Sequence, residues 1–479
     1  MFTNSINLEK DKNIIIKSVG ERCMTEYLKK YISKRNLLLT SGDFLILLLA
    51  PAILQKVKEI IYLKEQTING IYLSSFVLIG HLILFMNGFY DIEKKLTNKI
   101  FIYKYTLTFF SLALVCYLTF IGYLSLLNCF LFSLFSCTLI VGWRFLFWRL
   151  IEKVDMVKRV VFVGTDELNK IVAGEILADN FPKYKVVGFL TDNPDMLGKN
   201  IVNPKVIGLI KDIDDIVKRE KVDKIVVSYH QGRGKFCAKT LLNCKFNGIE
   251  VQDFHTFYEQ VTGKILLNGL RPSWLIFTEG FKKPRLVKIV KRVFDIILSS
   301  IGLIVTFPIL IVTVILIKLD SKGPIIYKQE RVGENGCVFN IYKFRSMNVD
   351  AERYGPIWAK ENDDRITRVG KIIRKLRIDE IPQMFVVLRG DMSFVGPRPE
   401  RPFFVKKLRK DIPYYDQRHT VKPGITGWAA ICYGYVANVE DSLEKLQYDL
   451  YYIKNISLFF DIVIVLKTFE IIFMRKGAR

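Results

Sequence analysis

Asp379 and Glu380 stand side by side, with Ile381-Pro382-Gln383 directly after them. An ionised aspartate can attack phosphorus and form an acyl phosphate, which makes the pair a candidate for group transfer. Adjacent side chains of a helix face different ways, so a cooperating pair belongs at a helix boundary. Pro382 suits a helix start, and aspartate is a favoured N-cap. The positive end of the helix dipole there would keep a carboxylate ionised and attract phosphate. Taken alone, the five residues read more readily as a plain helix cap.

Cations able to hold a diphosphate lie on either side. Lys343 and Arg345 are two apart in the strand-like run 339–345, so they project from one face of the strand. A solvated edge strand is the alternative. Arg398 sits between Pro397 and Pro399, which restrict the backbone to an extended form. A guanidinium held that way loses little freedom on forming paired bonds to phosphate. Arg374 and Arg377 precede the acidic pair, and Gly390, Gly396 and Gly424 mark nearby turns.

Composition limits how the chain can position these groups. The 479 residues are 50% hydrophobic and carry a formal net charge of +24, too apolar for disorder and high for a wholly soluble protein. Apolar and basic together indicate a membrane protein whose water-exposed part meets an anionic surface or anionic substrates. Nucleic acid is not an expected partner, because it would not account for the apolar runs. The eight cysteines contain no CxxC and the four histidines are dispersed, which argues against a disulfide framework or a zinc site. Acid–base work falls to carboxylates.

No charged residue lies between Tyr105 and Trp143, room for two spans of about 20 residues each. Two further apolar runs, 37–54 and 70–90, bring the expected transmembrane helices to four within 37–148. Basic residues crowd the segment 1–36 and the stretch after 143, so both ends of this region are expected on the cytoplasmic side. Asp43, near the start of the first span, is an intramembrane functional carboxylate or an interfacial or packed pair. From 155 to 275 short apolar strands (159–163, 186–190, 206–209, 224–228) alternate with helical segments, the mark of a Rossmann-like parallel sheet. Its first turn, Gly164-Thr165-Asp166-Glu167, lacks GxGxxG. Two acids there would repel a pyrophosphate, so a spacer or regulatory domain is expected rather than dinucleotide binding. The apolar run 293–317 is long enough to span, yet both flanks are basic. A helix broken at Phe307-Pro308 that enters and returns to the same side is expected, with Ser299, Ser300 or Thr306 taking up freed carbonyls. A fifth span is the alternative. The apolar stretch 459–473 reads as an interfacial helix or as packing against its own domain.

An ordered set of motifs runs through the last part of the chain: Lys291-Arg292-Val293-Phe294-Asp295, Gly323-Pro324, Gln329-Glu330-Arg331-Val332-Gly333, Tyr342-Lys343-Phe344-Arg345-Ser346-Met347 and Arg374. Asp379-Glu380-Ile381-Pro382-Gln383, Gly390-Asp391-Met392-Ser393, Gly396-Pro397-Arg398-Pro399-Glu400 and Lys422-Pro423-Gly424-Ile425-Thr426-Gly427-Trp428 complete it. In this order the chain resembles the bacterial polyprenyl-phosphate hexose-1-phosphate transferases, the monotopic phosphoglycosyl transferases, in their long form. Many members have Ser-Leu where this chain has Arg377-Ile378, which adds a phosphate contact or alters sugar preference.

The resemblance implies a membrane protein with four transmembrane helices, a Rossmann-like domain at 155–275 and a catalytic domain at 285–479 with a re-entrant helix. It implies transfer of a sugar-1-phosphate from a UDP-sugar to undecaprenyl phosphate at the cytoplasmic face of the bacterial inner membrane, releasing UMP. Asp379 would be the nucleophile of a covalent intermediate. Glu380 would assist through metal or proton handling. Lys343, Arg345, Arg374, Arg377 and Arg398 would neutralise phosphate. Mg²⁺, held by Asp379 or Glu380, is the implied cofactor, the lipid bilayer a partner, and a homodimer is compatible. Two rivals remain: a membrane-anchored nucleotide-sugar dehydratase or epimerase, and a non-catalytic assembly scaffold.

Overall fold

The computed structural model describes residues 39–49, 70–86, 98–119, 126–152, 157–177, 184–228, 238–270, 272–281, 283–348, 351, 364–434 and 438–473. The N-terminal segment 1–36 lies outside them. One compact unit covers Met24–Val261 and the other is built on Thr262–Arg479.

The first unit opens with four helices: α1 (Leu39–Leu49), α2 (Gly70–Met86), α3 (Asn98–Thr119) and α4 (Leu126–Glu152). They share one apolar cluster, with Leu47, Phe76, Leu112 and Phe132 buried in it, while Leu78, Phe110, Leu114 and Phe145 stay exposed. Among the described residues two helices of the chain are long and apolar enough to cross a membrane, and Cys129–Phe147 within α4 is the one in this region. The four spans expected here are thus one by that measure, because the other apolar stretches, Leu39–Leu49, Ser74–Leu84 and Lys104–Thr119, are shorter. Asp43 is buried and accepts from Arg144 Nη2 at 2.7 Å, so its role is the packed pair.

The same unit carries the expected parallel sheet. Its strands are β1 (Lys158–Val163), β2 (Tyr184–Thr191), β3 (Val206–Leu209), β4 (Lys224–Val227) and β5 (Glu250–Asp253), in the order β3-β2-β1-β4-β5. Between them run α5 (Glu167–Leu177), α6 (Ile213–Arg219) and α7 (Ala238–Phe246), with α8 (Phe254–Thr262) closing the unit. Alternate residues of β1 face opposite sides: Val161 and Val163 join Leu190, Ile216 and Ile225, whereas Phe162 stacks on Phe189 at 5.5 Å. β5 was not legible in the sequence, because Glu-Val-Gln-Asp is an edge strand without an apolar run.

In the second unit, α9 (Pro272–Phe277) precedes α10 (Arg285–Asp320). The hairpin β6 (Ile326–Val332) and β7 (Val338–Phe344) turns on Asn335-Gly336, both at positive φ, which suits a tight hairpin. Then come α11 (Arg368–Lys375), α12 (Gln383–Arg389), β8 (Ser393–Val395), α13 (Pro402–Asp411), β9 (Gly424–Thr426), α14 (Trp428–Cys432), α15 (Val439–Lys454) and α16 (Leu458–Phe473). Ile265 N donates to Gln447 O and Trp428 Nε1 to Gly263 O, so the segment from Thr262 belongs here. The domain boundary falls near 262 rather than 275.

α10 runs through Pro308 as one helix. Helical bonding continues on both sides of Pro308 with no non-helical gap, so any change of direction there is a proline kink within α10 and not an interruption of it. Thr306 donates to Gly302 O instead of to a carbonyl freed by Pro308. The globular unit grips α10 near both ends. On one side Lys291 Nζ donates to Val395 O and Asp461 Oδ2, Arg292 donates to Val387 O and Leu388 O, and Asp295 accepts from Ser393 Oγ and Phe394 N. Asp295 is therefore buried against β8, and Arg292 caps the last carbonyls of α12. On the other side Asp320 accepts from Val369 N, and Ile317 packs with Phe344 and Ile373. Between these grips Ile301, Ile304, Val305, Phe307 and Val312 are at least half exposed.

Candidate active site

The acidic pair sits in a tight turn, Ile378–Glu380, between α11 and α12. Three elements converge on it: β7 brings Lys343, α11 brings Arg374, and the extended Pro397-Arg398-Pro399 strap follows β8. Arg377 enters the turn in the left-handed conformation at φ 58°, a costly state for a side chain other than glycine. Pro382 takes the N-cap position of α12 without a side-chain cap bond. Neither carboxylate works as a helix cap, so the bland reading of the pair is not the one realised.

The two carboxylates have opposite environments. Glu380 Oε1 accepts from Lys343 Nζ at 2.7 Å and from Arg398 Nη2 at 2.6 Å. Among the described residues its Oε2 has only longer contacts, Arg398 Nη1 at 3.5 Å and Arg377 Nη1 at 3.9 Å. Burial opposes its charge, but Arg398 and Lys343 outweigh that and hold the Glu380 carboxyl well below its usual range. It is an acceptor and not a proton donor at neutral pH. Asp379 is equally buried, yet no hydrogen bond or ion pair engages its carboxylate among the described residues. Burial, reinforced by Glu380, raises it to about 6, against the pull of Lys343, Arg374 and Arg377. It is ionised at neutral pH and unencumbered, the state a nucleophile needs.

The structure brings Lys343, Arg374, Arg377 and Arg398 to the acidic pair and leaves Arg345 out. Alternation along the strand points to one face for Lys343 and Arg345. β7 ends at Phe344, however, and Arg345 sends its guanidinium to Ser321 O, Lys322 O and Ser321 Oγ, closing the end of α10. Sequence reasoning missed Arg418. It is buried and donates from Nη2 to Arg398 O at 2.9 Å while pairing with Asp449 at 2.8 Å and bonding Tyr415. It also missed Arg331, which donates to Pro399 O. Gly424 N donates to Pro397 O, and a Cβ on Gly424 would stand 2.1 Å from Gly396 N. Both glycines are needed for β8 and β9 to pass so closely. The spacing of Gly396 and Gly424 was the available signal for the clamp. Nothing local marked Arg418, some twenty residues from the carbonyl it holds.

No cluster of three or more metal-ligating side chains occurs among the described residues. Asp379 and Glu380 Oε2 are the hard oxygens with capacity left. Two such oxygens suit Mg²⁺, which keeps several waters and takes the rest of its shell from substrate phosphate.

Residues 286–475 match the bacterial sugar transferase family. An Aeromonas hydrophila protein named UDP-N-acetylgalactosamine-undecaprenyl-phosphate N-acetylgalactosaminephosphotransferase is 44% identical over 240 residues, 50% of this chain and 56% of that protein. A Klebsiella pneumoniae protein named UDP-glucose:undecaprenyl-phosphate glucose-1-phosphate transferase is 32% identical over 329 residues, 67% of this chain and 69% of its own length. The exopolysaccharide production protein PSS of Rhizobium leguminosarum bv. phaseoli is 39% identical over 189 residues, 38% of this chain and 93% of its own. The chain thus spans little more than half of the Aeromonas protein. The chain belongs to the bacterial sugar transferase family.

Proposed function

We propose that this enzyme transfers a sugar-1-phosphate from a UDP-sugar to undecaprenyl phosphate and releases UMP, the step that starts an exopolysaccharide, capsule or O-antigen repeat. One observation carries the proposal: a buried, unengaged Asp379 beside a Glu380 that Lys343 and Arg398 hold ionised. An Asp379 oxygen attacks the phosphorus bound to the sugar. The P–O bond of the diphosphate breaks, and UMP leaves with its electron pair. An oxygen of the lipid phosphate then attacks the same phosphorus, breaks the acyl-phosphate bond and restores the Asp379 carboxylate. Lys343, Arg374, Arg377 and Arg398 balance the phosphate charge through both steps. Mg²⁺, held by Asp379 and Glu380 Oε2, would supply further charge neutralisation on the diphosphate.

The two grips on α10 support a re-entrant reading, since one globular unit meets both ends of an apolar helix. A turn back to the same side keeps the acidic pair at the headgroup level of the inner leaflet, where donor and lipid meet. Four spans in the first unit, with both their ends cytoplasmic, complete the proposed multi-pass topology. The test is transfer of label from a panel including UDP-glucose and UDP-N-acetylgalactosamine to undecaprenyl phosphate by the purified full-length protein. Labelled lipid and free UMP in equal amounts are expected from at least one donor. Label on the lipid without UMP release would overturn the reaction.

A further inference from the structure

Gln383 belongs to the motif that carries the acidic pair but has no part in the chemistry described above. It is the first residue of α12 and only 3% exposed. With Arg331, Ile341, Lys343, Arg398 and Pro399 it lines a small pocket beside Glu380. Its amide nitrogen Nε2 is buried with no hydrogen-bond partner among the described residues, and so is Arg331 Nε. The other nitrogens of Arg331 are committed, Nη1 to Pro399 O and Nη2 to Gln329 Oε1. Buried donors are normally satisfied, and each one left unpaired is costly.

The walls of this pocket are one-sided. Four of its six residues present N–H groups, Ile341 is apolar, and the carbonyl of Pro399 already accepts from Arg331. A water molecule must donate as well as accept, and the one acceptor side-chain atom among the lining residues is Gln383's own Oε1. An oxygen that only accepts, and bears negative charge among three cations, satisfies both unpaired donors at once. We infer that the pocket seats a phosphoryl oxygen of a substrate, held by Gln383 Nε2 and Arg331 Nε, which fixes the phosphate beside Asp379. Gln383 lies on the first turn of α12 directly after the acidic pair, so the segment that carries the nucleophile also orients its target. This inference rests on the proposed transfer for the identity of the substrate, and the oxygen comes from the UDP-sugar or from the lipid phosphate.

The experiment uses the full-length protein in nanodiscs and titrates inorganic pyrophosphate by calorimetry. Gln383→Met keeps the volume and removes both amide donors. It should weaken pyrophosphate binding about tenfold or more, the range for a lost bond to a charged acceptor. Gln383→Glu keeps the shape and places a carboxylate against the anion, so it should weaken binding further. Unaltered affinity in either variant, with its unfolding temperature close to wild type, overturns the inference. KM then identifies the source: a rise for the UDP-sugar alone assigns the oxygen to the donor, and a rise for undecaprenyl phosphate alone assigns it to the acceptor. Wild-type protein that binds pyrophosphate through Gln383 but transfers no sugar would sink the proposed function and keep the pocket. Wild-type transfer with both KM values unchanged in Gln383→Met would do the reverse.

Discussion

Arg418 donates to the carbonyl oxygen of Arg398 at 2.9 Å, so a buried guanidinium fixes the residue that grips Glu380. Arg418 is itself held by Asp449 at 2.8 Å and by Tyr415 Oη at 2.6 Å. It touches no carboxylate of the acidic pair and acts only as a positioning residue. Lysine keeps the charge against Asp449 but cannot reach three partners with one planar fork. Arg418→Lys should lower kcat about tenfold to a hundredfold, the scale expected for a misplaced reacting group. KM should change less. Loss of the Arg398 grip should also let the Glu380 carboxyl move up towards its ordinary value, shifting the acid side of the pH profile. Wild-type kcat in a folded Arg418→Lys enzyme would remove Arg418 from the site.

Asp379 separates activity from stability. Its folded-state value lies near 6, above the ordinary 3.8, because burial and Glu380 disfavour the charge. The proposed nucleophile is the ionised form, so transfer should fall as pH drops through about 6. The sign for stability is opposite. The folded state binds this proton more tightly than the unfolded chain, so the charged Asp379 destabilises the fold above about pH 6. Below about pH 4, where both states are protonated, the effect vanishes. Asp379→Asn should abolish transfer yet raise stability at pH 8, by an amount on the order of 1–3 kcal/mol. The gain should shrink between pH 6 and pH 4. Denaturation of the two proteins across that range checks it, and a variant less stable at pH 8 than at pH 4 relative to wild type would refute the assignment.

Much of this site was legible because its residues are neighbours in sequence. Asp379 and Glu380 are adjacent, Arg398 is locked between two prolines, and the apolar run of α10 is continuous. Alternation placed Lys343 correctly and misled for Arg345, since pleat parity holds only while the strand lasts and β7 stops at Phe344. The cap reading of Asp379 followed sound local rules, but tertiary cations claimed Glu380 and left the helix start to Pro382. Pro308 suggested a gap in the helix because it lacks a backbone donor, yet helical bonding resumes on either side of it. Arg418, Asp449 and the clamp on the strap were invisible, because long-range pairs between buried charges leave no periodic trace.

The sheet of the first unit should bind no NAD(P). β1 lies between β2 and β4, so the crevice at their carboxyl ends is where a dinucleotide would seat its pyrophosphate. There Asp166 accepts from Asn169 N at the start of α5 and from Ser228 Oγ at the end of β4. A carboxylate already occupies the donors that phosphate would need. Calorimetry with NAD⁺, NADH and NADPH should give no binding to the full-length protein. A stoichiometric nicotinamide cofactor in purified protein would overturn this.

The topology of α10 decides whether the proposed donor and lipid can meet at all. Lys288 and Lys322 are exposed at its two ends, and the globular unit packs beside both. If α10 crossed the bilayer fully, the unit that holds Asp295 at one end and Asp320 at the other would be divided between two compartments. The Asp295 bonds to Ser393 and Phe394 and the Asp320 bond to Val369 could not then coexist. A charge left at the bilayer centre would cost about 2.5–3.5 kcal/mol on the insertion scale, and burial against β8 spares Asp295 that cost. Single cysteines at 288 and 322, in a background without reactive native thiols, should both resist an impermeant reagent in sealed cells. Both should react once the membrane is opened. Labelling at 322 alone in sealed cells would mean a true span, and would place the acidic pair on the face of the membrane away from its nucleotide donor.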